Sequence, residues 1–226
     1  MSNITPTHSA ESFRVAALLS VTGGFLDAYT YVARDGVFAN AQTGNFARLA
    51  ISLANGDWLM VLRYLIPILS FVAGVSVAMW LCRHMSRFRT FSWQQFSLLL
   101  EILLLAAVSI IPSSKISNIA ANIAVSFTCA VQAETFRKVL GTPFASTMCT
   151  GNLRNATEYL NQFFLDRDRP LLQKSLQYFG IDALFVLGAI LGTGATKAFH
   201  IRASLICCMF LAIVFGMMFR QNTDSE

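Results

Sequence analysis

Charge is what this chain has least of. Only 13% of its 226 residues are Asp, Glu, Lys or Arg, about half the share of a typical soluble domain. Hydrophobic residues make up 55%, and the mean hydropathy is +0.55. This composition excludes an ordinary water-soluble domain and makes the lipid bilayer the expected solvent. A continuous basic stripe is also missing. The net charge of +5 and the pI near 9.1 come from Lys and Arg that flank apolar runs. That pattern orients a membrane protein and does not track a nucleic-acid backbone.

Signatures of catalysis are equally scarce. The three histidines, His8, His84 and His200, are scattered, and there is no His-Glu-x-x-His, Gly-x-Ser-x-Gly or Cys-x-x-Cys. The run Gly188, Gly192, Gly194 lacks the third glycine of a dinucleotide fingerprint, and Lys197 does not follow a glycine as a phosphate loop requires. Cys82, Cys129, Cys149, Cys207 and Cys208 sit mostly in or beside apolar spans, where a free thiol behaves as a small hydrophobe. A reducing cytosol would leave them reduced. No enzyme activity, cofactor or metal site is expected.

What the chain does have is a repeat. Phe38-Ala-Asn-Ala-Gln-Thr-Gly-Asn45 recurs as Phe144-Ala-Ser-Thr-Met-Cys-Thr-Gly-Asn152. A lone Thr-Gly-Asn reads as an ordinary turn or helix cap, but duplication makes it an architectural feature. Each copy is followed by a short helical run, Phe46 to Ala54 and Leu153 to Phe164, so the expected element is a polar break feeding a helix. Sixteen residues upstream of Thr43 lies Asp27, and sixteen upstream of Thr150 lies Glu134. Downstream, Phe71-Val-Ala-Gly74 matches Phe185-Val-Leu-Gly188.

In order along the chain, residues 1–13 read as a disordered start. Apolar spans are expected from Val15 to Val32, Leu62 to Cys82, Phe96 to Ile111, Ile116 to Phe136, Ser175 to Thr196 and Ser204 to Phe219, each judged against a hydrocarbon core of roughly 30 Å. Arg14 and Val15 to Val21 have the outline of a signal peptide, but no small-x-small cleavage site follows. The first span carries Gly23, Gly24 and Asp27. An intramembrane carboxylate normally faces protein or water, although Asp27 near the interface could instead pair with Arg34. Pro67 sits inside the second span, where Gly74 and Ala78 form a small-xxx-small packing pair. Glu101 reads as a snorkelling carboxylate near the interface. The fourth span is speckled with polar residues, Gln132 among them, and Asn118, Asn122, Cys129 and Ala133 mark one side at helical spacing. Such a stripe suits an internal cavity better than lipid. Asp166-Arg-Asp-Arg-Pro170 is a charged surface turn that the first half lacks.

Three spans per half place the second half upside down relative to the first, the inverted-repeat plan of many secondary transporters. The expected fold is an all-α membrane protein with about six transmembrane helices in two inverted three-helix repeats. Residues 14–112 form the first repeat, 113–220 the second and 221–226 a polar tail. Arg14, Arg83, Arg87, Arg89, Arg137, Lys138, Arg154, Arg167, Arg169, Lys174 and Arg220 fall on one side. Arg34, Arg48, Arg63, Lys115, Lys197 and Arg202 fall on the other. The positive-inside rule then makes both termini cytoplasmic.

Gly23-Gly-Phe-Leu-Asp-Ala-Tyr29, the two Thr-Gly-Asn copies and Gln132 upstream of the second resemble the bacterial YoaK family, domain of unknown function 1275. The resemblance runs from Val15 to Phe219. It implies a bacterial inner-membrane protein of similar length with several spans, and supplies no established substrate.

Function is therefore read from residues. Broken backbone at membrane depth is tolerated only inside protein or beside water, and helix N-termini there offer free N–H groups. Thr43, Gly44, Asn45, Thr150, Gly151 and Asn152 are the candidate binding residues of a transporter or channel for a small solute or ion. Asp27, Gln132 and Glu134 are candidates for coupling or for lining a polar cavity. Asn45 and Asn152 are expected to share one central site. The alternative is a non-transporting membrane protein, an assembly or regulatory partner whose breaks are packing corners. A homo-oligomer is compatible with either, and no nucleic-acid partner is expected.

Overall fold

The structure, a computed structural model, describes residues 12–85, 92–139, 142–143 and 149–223. The expected Arg87 and Arg89 cluster, Phe144 to Met148 of the second break, and most of the expected disordered start lie outside the described residues.

Eight helices carry the described chain: α1 Phe13–Ala33, α2 Gln42–Ala54, α3 Trp58–Met85, α4 Trp93–Val108, α5 Lys115–Thr135, α6 Cys149–Asp166, α7 Arg169–Phe199 and α8 Ser204–Thr223. A short antiparallel pair, β1 Lys138–Val139 with β2 Thr142–Pro143, sits between α5 and α6. α8 continues through Thr223, into what reads as polar tail in the sequence.

Local chemistry sets the ends. Ser12 accepts from the Val15 amide to start α1, and Ser92 with Gln95 forms a reciprocal capping box on α4. Ser114 accepts from the Ser117 amide at the start of α5. Gly56, at φ 69°, makes the left-handed turn between α2 and α3. Pro170 occupies the first turn of α7, where its missing N–H costs no hydrogen bond. The chain reverses at His200, at φ 51°, through the short 3-10 turn His200–Ala203.

Four stretches are long and apolar enough to cross a membrane: Phe13–Ala33, Trp58–Met85, Lys115–Thr135 and Arg169–Met218, the last containing α7, the turn at His200 and most of α8. α4 is apolar but shorter. Leu69, Met79 and Trp80 on α3 and Val186, Ile190 and Leu191 on α7 are exposed. Contiguous apolar surface of this kind fits lipid and not water.

α1 is the central helix and is buried along most of its length. It packs on α7 and α8, while α5 packs on α3 and α4; α2 lies on α3, α6 on α7, and α4 on α8. α1 and α7 run parallel with backbones nearly touching. A Cβ at Gly24 would overlap the Phe185 carbonyl, one at Gly188 would overlap the Val21 carbonyl, and one at Gly192 would lie 2.6 Å from the Phe25 oxygen. Gly74 does the same for α3 on α5, where a Cβ would lie 2.6 Å from the Phe127 oxygen. Gly24, Gly188, Gly192 and Gly74 thus set two helix–helix approaches, whereas a Cβ at Gly194 would meet nothing within 4 Å among the described residues.

Three expectations change. Arg34 does not pair with Asp27. Fully buried, its guanidinium donates to the Tyr29 hydroxyl (2.9 and 3.0 Å), the Val108 and Ile111 carbonyls (3.0 Å each), Pro112 O and Asn118 Oδ1. These carbonyls lie at the C-terminal end of α4, where the helix dipole favours a cation. The polar stripe on α5 serves the same cluster: Asn118 accepts from Arg34 and Asn122 donates to the Arg34 carbonyl at 2.9 Å. Glu101 does not snorkel. It is fully buried on α4, and neither carboxyl oxygen has a hydrogen-bond partner among the described residues.

Candidate functional site

After α1 the backbone leaves helical geometry at Arg34 and returns to it at Gln42. Buried backbone N–H groups need partners, and α1 supplies them for this break. Thr30 Oγ1 accepts from the Ala39 amide at 3.3 Å, and Asp27 Oδ1 accepts from Asn40 N at 2.9 Å and Ala41 N at 3.3 Å. Asp27 is only 5% exposed. Its carboxylate bolts the break to α1 and offsets the positive end of α2.

Thr-Gly-Asn does not precede the short helices but opens them: Thr43 to Asn45 lie in the first turns of α2, and Thr150 to Asn152 in those of α6. The irregular backbone is the segment upstream. Ala41, at the start of α2, offers no side-chain cap, so the first amides of that helix are available to something else.

Both helix starts face one cavity of about 760 Å³. Thr43 and Gly44 line it from α2, and Thr150 and Gly151 from α6. Asp27, Ala28, Tyr31 and Val32 form the α1 wall. Phe71 and Phe185, which open the two copies of the Phe-Val-x-Gly phrase, line it from α3 and α7. Phe38, Asn40 and Phe46 complete the side nearest the break.

Asn45 and Asn152 are not among the lining residues. Asn45 is fully buried behind the wall, donating to the Phe38 carbonyl at 2.6 Å and to Gln42 Oε1 at 2.9 Å. Asn152 donates to Asp182 Oδ1 of α7 at 3.1 Å. Each amide fixes its helix start against a neighbour. Gln132 also lies outside the cavity, where it ties α5 to α1 by donating to the Leu19 carbonyl at 3.2 Å. Glu134, near the end of α5, pairs with Arg137 at 3.2 Å and is not part of the wall. The structure therefore brings Asp27, Thr43, Gly44, Thr150 and Gly151 together and leaves the other candidates in supporting positions.

Cys149 lines the cavity beside Thr150. Burial, and then the Asp182 charge, push its thiol up to about 11, so it is a poor nucleophile at neutral pH. Among the described residues no three His, Cys, Asp or Glu side chains converge as a metal site would need.

Sequence reasoning missed Asn40. It stands inside the first copy of the repeat but has no Asn counterpart in the second, so a search for matched positions passes over it. Its side chain is 2% exposed, it lines the cavity, and neither Oδ1 nor Nδ2 has a partner among the described residues.

No curated protein and no solved structure matches the chain. The family model for DUF1275, described as a protein of unknown function, matches residues 15–217. That interval holds all but the first two residues of α1, both Thr-Gly-Asn copies and every described residue of the cavity wall, and the chain belongs to the DUF1275 family.

Proposed function

We propose that this chain is a bacterial inner-membrane transporter or channel for a small solute or ion, built as two inverted three-helix repeats around the cavity between α2 and α6. The observation that carries this reading is the cavity itself: Thr-Gly pairs separated by 107 positions, together with Asp27, line one space of about 760 Å³. Typical small-molecule sites occupy roughly 300–1,000 Å³.

Helix pairing supports the repeat. Exchanging α1 with α5, α2 with α6, α3 with α7 and α4 with α8 converts α1 on α7 into α5 on α3, α2 on α3 into α6 on α7, and α1 on α8 into α5 on α4; α4 on α8 maps onto itself. Directions agree as well. Ser70 reaches the Ile123 carbonyl and Gly74 meets Phe127, so α3 and α5 run parallel, as α1 and α7 do. Ser204 donates to the Leu105 carbonyl and Cys208 to that of Ile102, so α4 and α8 are antiparallel. Six alternating spans with α2 and α6 as partial helices satisfy all these directions. The excess of Lys and Arg on one side supports cytoplasmic termini in this reading.

In this reading Asn45 and Asn152 are positioning residues, while Thr43, Gly44, Thr150 and Gly151 meet the solute. The test is flux into liposomes containing the purified full-length chain, with anionic, cationic and uncharged small solutes compared against empty liposomes. Flux of at least one class is expected. Impermeability to all of them would favour the assembly or regulatory role.

A further inference from the structure

Within the transport reading, the cavity wall also constrains what enters. We infer that its ligand carries an uncharged, amide-like head on an apolar body, and that Asn40 is the residue that reads the head.

Charge is the first constraint. Asp27 is the only charged side chain among the described lining residues. Its carboxylate accepts from the Asn40 and Ala41 amides and faces the positive end of α2. A cation would compete with those N–H groups for the carboxylate. An anion would meet the carboxylate with no basic side chain to answer it. Arg48, over the lining rings of Tyr31 and Phe38, is spent elsewhere: it donates to the Gly36 carbonyl at 2.9 Å and is not a lining residue. A neutral head suits both ends of the balance.

Hydrogen-bonding capacity is the second. Asn40 keeps two N–H donors and a carbonyl acceptor unused in a nearly water-free position. Buried polar groups without partners cost free energy, and a native structure retains one where a ligand completes it. The complement to a free carboxamide is a group that donates and accepts side by side, as an amide, urea or lactam does. The uncapped first turn of α2 lies next to it and adds N–H donors for a second acceptor.

The apolar body follows from the rest of the wall. Phe38, Phe46, Phe71 and Phe185 present rings to the same space, and aromatic faces favour an apolar or aromatic guest.

The test uses the full chain in lipid nanodiscs and three probes of one size: benzamide, benzoate and benzylamine, titrated calorimetrically at neutral pH. Benzamide is expected to bind at least about tenfold more tightly than either charged analogue, because unmet polar groups discriminate more strongly than apolar contacts. Asn40→Leu and Asn40→Asp are each expected to remove that preference, the first by deleting the amide and the second by replacing it with a charge. Benzoate or benzylamine binding as well as benzamide would overturn the inference. So would undiminished benzamide binding in both variants, or no binding of any probe at millimolar concentration. Flux separates the two levels: benzamide preference without flux supports the head-group assignment and removes transport, whereas flux of charged solutes without benzamide preference does the reverse.

Discussion

Arg34 and Asp27 lie seven residues apart and divide the polar work at the end of α1. Arg34 satisfies the carbonyls that close α4, and Asp27 satisfies amides of the break. Arg34→Met keeps most of the volume but removes the guanidinium donor from the Ile111 carbonyl and the shorter of the two hydrogen bonds to the Val108 carbonyl, which keeps the Ile111 amide at 3.3 Å. Thermal or denaturant unfolding in detergent should register a loss of about 3 kcal/mol or more. Asp27→Ala strands two amides and should cost about 2–4 kcal/mol. Asp27→Asn retains an acceptor oxygen, so it should fold like the parent while losing any proton-linked or cation-linked flux. Unchanged coupled flux in Asp27→Asn would confine Asp27 to a structural role. The sequence made Asp27 conspicuous because a carboxylate in an apolar run is rare. It could not assign the partners of Arg34, because most of its acceptors lie 74 to 84 positions away. Glu101 was misread for a related reason: burial depends on which helices close around α4, and hydropathy along one helix does not carry that information.

Among elements, the parallel α1 and α7 pair shows how far pattern reading reaches. Glycines at 24, 188 and 192 stand out in the apolar runs, but their shared packing surface is a tertiary fact. Gly188→Ala would drive a methyl group into the Val21 carbonyl. It should destabilise the protein by roughly 1–3 kcal/mol or more, as overpacking does. Gly194→Ala, with nothing within 4 Å of the new Cβ, should be neutral or stabilise by about 0.5–1 kcal/mol through helix propensity. Comparable losses at both positions would mean that α1 and α7 do not approach as described. The ends of the long helices were readable to within a few residues in most cases, because apolar length and capping chemistry are local. The starts of α2 and α6 were read four residues late, since Thr-Gly-Asn resembles a turn until neighbouring hydrogen bonds hold it in a helix.

For the whole molecule, duplication in the sequence led to the proposed inverted repeat, and the charge distribution to the proposed orientation. Neither located the cavity, whose wall draws on α1, α2, α3, α6, α7 and the break. Reporter fusions check the orientation: those after Arg87 and after Asp168 should read cytoplasmic, and one after Asn55 should read periplasmic. An identical reading at all three would contradict the inverted arrangement. The most direct measurement of the central claim is solute flux through Gly151→Phe in liposomes, compared with the parent chain. Gly151 lines the cavity, and a Cβ there meets nothing within 4 Å among the described residues, so a phenyl group has room to project into the cavity. The expected result is an unchanged unfolding midpoint with flux reduced to the level of empty liposomes. Full flux through a correctly folded Gly151→Phe protein would contradict passage between the two Thr-Gly pairs.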